Sequence, residues 1–96
     1  MGAKEYQLDD QQFTLISKAL ADPKRFEMLQ RIAQEGSAPT CTCLRESLQL
    51  APATISHHVK ELETAGLIQV QREGKFAHIT LRREVWKAYL KRLSKI

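Results

Sequence analysis

Ala53-Thr54-Ile55-Ser56-His57-His58-Val59-Lys60-Glu61-Leu62-Glu63-Thr64-Ala65 decides how the rest of the chain is read. Ile55, Val59 and Leu62 recur at i, i+4 and i+7, the spacing that gathers apolar side chains on one face of a helix. With that face buried, Thr54, Ser56, His57, His58, Lys60 and Glu61 are distributed over the remaining faces. Hydroxyls of this kind bond to bases or phosphates, and His and Lys donate to phosphate oxygens. Gly66 follows, the residue best able to take the left-handed conformation that ends many helices. The polar face alone is equally compatible with a surface that meets only water, and the elements on either side of it distinguish the two.

Upstream, Cys43–Gln49 reads as a short helix with Leu44 and Leu48 one turn apart, and Leu50-Ala51-Pro52 as a tight break. A short helix, a turn and a second helix make a helix-turn-helix, whose second helix enters the major groove. Downstream the period changes from helical to alternating. Residues 67–72 read as a strand, Glu73-Gly74-Lys75 as a turn and residues 76–81 as the returning strand. This hairpin carries Arg72 and Lys75 to a projecting tip, where Glu73 dilutes the charge and favours backbone anchoring over base reading.

Two helices precede this unit and one follows it. Asp9 or Asp10 opens a helix running to about Ala21, with Phe13, Ile16 and Leu20 at helical spacing. Asp22-Pro23 ends it and starts the next, because Asp caps free amides and Pro in the first turn loses no needed donor. Phe26, Leu29 and Ile32-Ala33 form the buried stripe of that second helix, which Glu35-Gly36-Ser37-Ala38-Pro39 stops. A final helix over residues 83–94 carries Val85, Trp86, Tyr89, Leu90 and Leu93. The expected fold is mainly α with a small β-hairpin wing, in the order helix, helix, helix, helix, hairpin, helix, as a single domain over residues 1–96.

The 96 residues, 43% hydrophobic and 27% charged, suit one ordinary globular core. No apolar run is long enough to span a membrane, and the N-terminal ten residues lack a signal peptide's apolar region. Two cysteines one residue apart cannot staple a secreted scaffold, which points to a reducing, cytoplasmic setting. The net charge of +4 is unevenly placed. Residues 1–50 hold six Lys and Arg against seven acids, and residues 51–96 hold nine against four, so the second half would meet a polyanion. Neither a glycine-rich phosphate loop nor HExxH, GxSxG or a paired-carboxylate site is present, which argues against an enzyme.

Leu20-Ala21-Asp22-Pro23-Lys24-Arg25 resembles the LADPxR signature of the ArsR/SmtB family of winged-helix repressors. Residues 44–67 are similar to that family's reading-head region, and Arg72-Glu73-Gly74-Lys75 to its wing, written REG(R/K). The resemblance implies a homodimeric repressor on an imperfect inverted-repeat operator, with double-stranded DNA and a second copy as partners. It implies DNA contacts from Thr54, Ser56, His57, His58, Lys60, Arg72 and Lys75. It also implies a dimer contact by the first and last helices (9–21 and 83–94), here through Phe13, Ile16, Trp86, Tyr89, Leu90 and Leu93. The helix-turn-helix would span 43–65 and the wing 67–81.

Many members of that family release DNA when a metal or metalloid binds, one site being the two cysteines of ELCVCDL. Counted back without gaps from Ser56, Leu50, Leu48 and Leu44, those positions fall here on Thr40 and Thr42, one residue before Cys41 and Cys43. Thr42 is placed as a helix cap. Residues two apart inside a helix diverge by about 200°, so the pair converges only if Cys41 is still extended and Cys43 is the first helical residue. Zinc or trivalent arsenic would want further ligands, available only from His57, His58 or His78. No metal or cofactor is therefore assigned. Metal- or redox-responsive repression through Cys41 and Cys43 is the alternative reading, and a winged-helix protein–protein module a further one.

Overall fold

The computed structural model describes residues 5–34 and 38–96. The Glu35-Gly36-Ser37 part of the expected helix stop lies outside the described residues. The chain runs α1 (Asp10–Leu20), α2 (Pro23–Ile32), α3 (Cys41–Leu48), α4 (Pro52–Thr64), β1 (Ile68–Glu73), β2 (Phe76–Leu81) and α5 (Arg83–Leu93), which is the expected order.

Local chemistry sets most of these boundaries. Asp9 accepts from the Gln12 amide at 2.7 Å to open α1. Asp22 accepts from the Lys24 and Arg25 amides at 2.9 and 3.1 Å to open α2, with Pro23 in the first turn. Gly66, at φ +79°, closes α4 in a Schellman motif. Its amide donates to the Glu63 carbonyl at 2.9 Å, and the Leu67 amide donates to the Leu62 carbonyl at 3.1 Å. That bond takes Leu67 out of the strand, so β1 begins one residue later than the alternation suggests. A Cβ at position 66 would stand 2.4 Å from Gln12 Nε2, which itself donates to the Ala65 carbonyl at 3.1 Å.

The start of α3 departs from expectation. Thr40, not Thr42, is the cap, and both cysteines lie within the helix, Cys41 being its first residue. Thr40 keeps extended backbone (φ −88°, ψ 165°) because it bridges to His78 of β2, while the neighbouring Pro39 carbonyl accepts from the Ile79 amide at 3.0 Å. Its hydroxyl then reaches the Cys43 amide at 3.1 Å. Helix α3 ends on Gln49 in the left-handed conformation (φ 55°).

Strands β1 and β2 form one antiparallel pair, from Ile68 opposite Leu81 to Glu73 opposite Phe76. Gly74 takes positive φ at the first of two loop positions and Lys75 does not, the sign pattern of a type II′ hairpin. Ile16, Met28, Ile32, Leu44, Ile55, Leu62, Leu67, Ile79 and Val85 are fully buried, so all five helices and the hairpin share one core.

The stripe expected to face a second copy divides in two. Ile16 and Tyr89 are buried within the chain itself. Tyr89 packs on Phe13 and Trp86, at ring separations of 5.2 and 6.0 Å, and its hydroxyl shares a 2.9 Å hydrogen bond with Ser17. These contacts join α1 to α5, so the two residues complete the chain's own core. Leu90 and Leu93, by contrast, are 45% and 36% exposed.

Candidate nucleic-acid interface

The turn Gln49–Ala51 sets α4 across α3, with Ile55, Val59 and Leu62 buried as the spacing predicts. Ser56, His57, Lys60 and Glu61 are exposed on the opposite face and Thr54 is half-buried at its edge. His58 is the exception. Its ring is buried, and Nδ1 accepts a 3.2 Å hydrogen bond from Arg25 Nε of α2. The expectation that His58 stands on the outward face is corrected by this bond, which draws the ring into the α2–α4 seam.

Between α4 and the hairpin lies an open cleft of about 400 Å³. Ser56, Lys60 and Glu63 of α4 line it, with Arg72 and Val70 of β1 and Cys41 of α3. Sequence reasoning separated Lys60 and Arg72 onto two elements; the fold brings them to one cleft. Lys75 stands exposed on the hairpin loop beyond it. A smaller hollow beside the cleft adds Arg45, Thr42 and Pro52 around Ser56. Sequence reading passed over Arg45, because the spacing of Leu44 and Leu48 says where α3 buries itself but not which exposed residue its partner helix approaches.

The ion pairs sharpen this picture. Lys24 and Arg31 pair with Glu27, Arg82 with Glu84, Lys91 with Glu5 and Arg92 with Asp10. Among the described residues, Arg45, Lys60, Arg72 and Lys75 take part in none, while Glu73 leans toward His78 at 3.9 Å. Five cations away from the cleft are thus spent on the protein's own carboxylates, while Lys18, Arg83, Lys87 and Lys95 are in no ion pair among the described residues. Those around the cleft and hairpin keep their charge for an outside anion, and an exposed cation of this kind is what a phosphate contact requires.

The two thiols sit in different surroundings. Cys41 is half-buried against the core and the cleft; Cys43 is exposed. Hydrogen bonds from the Thr40 hydroxyl and then from its backbone lower the Cys43 pKa below the usual thiol value. The arrangement is a capping box in which a sulfur stands where Glu commonly stands. Among the described residues no group of three or more His, Cys, Asp or Glu is placed to hold a metal ion. Cys43 is therefore expected to be alkylated by iodoacetamide faster than Cys41 near neutral pH. Thr40→Ala should slow that reaction and cost about 1 kcal/mol of stability. Equal rates by peptide mass mapping would contradict the activated thiol.

A helix-turn-helix domain family model matches residues 20–71. The chain is similar to an HTH-type transcriptional regulator of Methanocaldococcus jannaschii, 39% identical over 59 residues, 62% of this chain and 65% of that one. It is also similar to the arsenic resistance transcriptional regulator ArsR1 of Pseudomonas putida, 35% identical over 71 residues, 74% of this chain and 55% of that one. The match thus spans between about half and two thirds of these relatives' length. Among solved structures, an ArsR family transcriptional regulator superposes with a TM-score of 0.79 at 26% identity, over 94% of this chain and 91% of that one. A homodimeric winged helix-turn-helix DNA-binding domain from Mycobacterium bovis shares the fold at TM-score 0.73 and 20% identity, over 93% and 87% of the two chains. No helix of the described residues is long and apolar enough to cross a membrane.

Proposed function

Because the chain belongs to the ArsR/SmtB family of winged helix-turn-helix proteins, we propose that it is a homodimeric, sequence-specific DNA-binding repressor of an inverted-repeat operator. The observation that carries the reading is the cleft in which Lys60 and Arg72, both free of ion pairs, flank Ser56 of the reading helix. In this reading Thr54, Ser56 and His57 meet base edges in the major groove, as the N-terminal part of a recognition helix does. Lys60, Arg72 and Lys75 hold the phosphate backbone, with Arg45 added from α3. His58 is left out of the contact set, since its ring is committed to Arg25. No catalytic step is assigned, and the setting is the cytoplasm.

The dimer would form through α1 and α5, using what the monomer leaves uncovered. Leu90 and Leu93 are exposed, and the half-buried Phe13 and Trp86 continue that surface. Two-fold symmetry would then set two reading helices about one DNA turn apart. The Mycobacterium bovis domain that shares this fold is itself homodimeric.

A mobility-shift assay on the DNA upstream of the chain's own coding sequence tests the reading. Ser56→Ala or His57→Ala should weaken binding to that operator by about 1–3 kcal/mol while leaving binding to unrelated DNA nearly unchanged. Equal losses on both DNAs would contradict base reading by α4.

The activated Cys43 thiol favours a second reading, in which a soft metal, metalloid or oxidant acting at Cys41 and Cys43 releases the DNA. Because both cysteines lie within α3, two residues apart, helix geometry argues for reaction at one sulfur rather than chelation by both. The same shift repeated with zinc, cadmium, arsenite, a thiol reductant and peroxide decides it. Indifference to all five would remove both cysteines from any sensing role.

A further inference from the structure

Arg25 and His58 are the two buried polar side chains among the described residues, at 8% and 5% exposure, and they lie against each other in the seam between α2 and α4. Arg25 Nε donates to His58 Nδ1 at 3.2 Å, and Arg25 Nη1 donates to the Ala19 carbonyl of α1 at 3.3 Å. One guanidinium therefore ties the end of α1, the first turn of α2 and the middle of the reading helix together. His58 is flanked in sequence by His57 and followed by Lys60, two of the residues that face outward for DNA.

We infer that Arg25 is a positioning residue for the reading helix, pinning α4 from behind through His58 and making DNA reading depend on a neutral imidazole. The inference rests on the DNA-reading role proposed for α4. A guanidinium never gives up its proton, so Nδ1 of His58 must be the unprotonated acceptor and its ring proton must sit on Nε2. Protonation at Nδ1 would set donor against donor and cation against cation in a buried seam, and the pin would part.

The surrounding charges act in both directions. Burial is the largest influence and lowers the His58 pKa below 6.5; Arg25 of α2 and His57 of α4 lower it further, while Asp22 at the start of α2 opposes them. The Asp22 carboxylate is already committed to the Lys24 and Arg25 amides. The native state thus resists a proton that the unfolded chain takes near pH 6.5. Stability is full above that pH and falls as the pH drops toward the folded value. DNA affinity should follow once the folded His58 titrates.

The response of His58 is isolated by a variant at that position alone. The comparison uses His58→Gln, whose side chain does not titrate and is long enough to turn its carbonyl oxygen toward Arg25. Operator affinity is measured from neutral pH down to the lowest pH at which the wild-type fold persists, for wild type, His58→Gln and Arg25→Met. Wild type should lose affinity that His58→Gln keeps toward the acid end of this range. Arg25→Met should bind more weakly at all pH values and lack the acid step. Superimposable profiles for wild type and His58→Gln would overturn the inference, even if Arg25→Met fails to fold. Nitrogen-15 spectra of the imidazole read the pin without DNA. An unprotonated Nδ1, with α4 amide shifts that move as it titrates, is the expected result, and a protonated Nδ1 at neutral pH overturns it. Absence of operator binding at any pH would instead refute the DNA-reading role and leave the spectra to decide the pin.

Discussion

Leu62→Ala is expected to destabilise the chain by about 2–5 kcal/mol, a large share of the roughly 5–15 kcal/mol that holds a domain folded. Leu62 is fully buried and closes the stripe begun by Ile55 and Val59, so it anchors the C-terminal half of the reading helix. Its carbonyl accepts the Leu67 amide, which fixes where the helix ends and the hairpin begins. Truncation leaves a void that the side chains around it, packed into a core shared by every element, fill only in part. Lys60→Ala, two residues away but on the exposed face, should shift stability by no more than about 0.5 kcal/mol. Urea denaturation followed by circular dichroism reads both values. A loss below about 1 kcal/mol for Leu62→Ala would mean that α4 is not seated as described. If the proposed dimer forms, the midpoints should also rise with protein concentration, because association stabilises only the folded chain.

The helices of this fold were legible because each carries its own local signal: Asp22-Pro23 for the start of α2, Ile55/Val59/Leu62 for α4, Gly66 for its end. What stayed hidden depends on residues far apart in sequence. The two threonines before Cys43 are equally suited to cap α3, and the choice of Thr40 is made by its pairing with His78, 38 positions away. His58 lies three residues after Ile55 and four before Leu62, so helical spacing already sets it at the edge of the buried stripe; what stayed hidden is the donor that Arg25 supplies there. The stripe of α1 and α5 was evident, but periodicity cannot say whether an apolar face meets its own core or a second copy. Ile16 and Tyr89 went to the first, and Leu90 and Leu93 were left exposed. The candidate interface shows the same division: Lys60, Arg72 and Lys75 could be named from sequence, but the cleft joining two of them, and Arg45 beside it, arise only from packing.

That cleft carries the other large expected effect. Reversing both of its cations, Lys60→Glu with Arg72→Glu, should lower operator affinity by about a thousandfold or more at physiological salt. Each phosphate contact contributes a salt slope of about 0.9, which at roughly 0.15 M salt amounts to about three quarters of a decade in affinity. Two contacts in each protomer of a dimer make four, hence about three decades before repulsion from the new carboxylates is counted. Neither cation is held by an ion pair, and both are exposed, so the folded state should be little changed and the loss should belong to DNA binding itself. The neutral pair Lys60→Gln with Arg72→Gln separates loss of contact from added repulsion, since it removes the first without introducing the second. Because phosphates carry no sequence information, operator and unrelated DNA should weaken by similar factors, unlike the Ser56 and His57 variants. The plot of log affinity against log salt should flatten by roughly three to four units in slope. An unchanged slope would show that the cleft does not hold the backbone, whatever the fall in affinity.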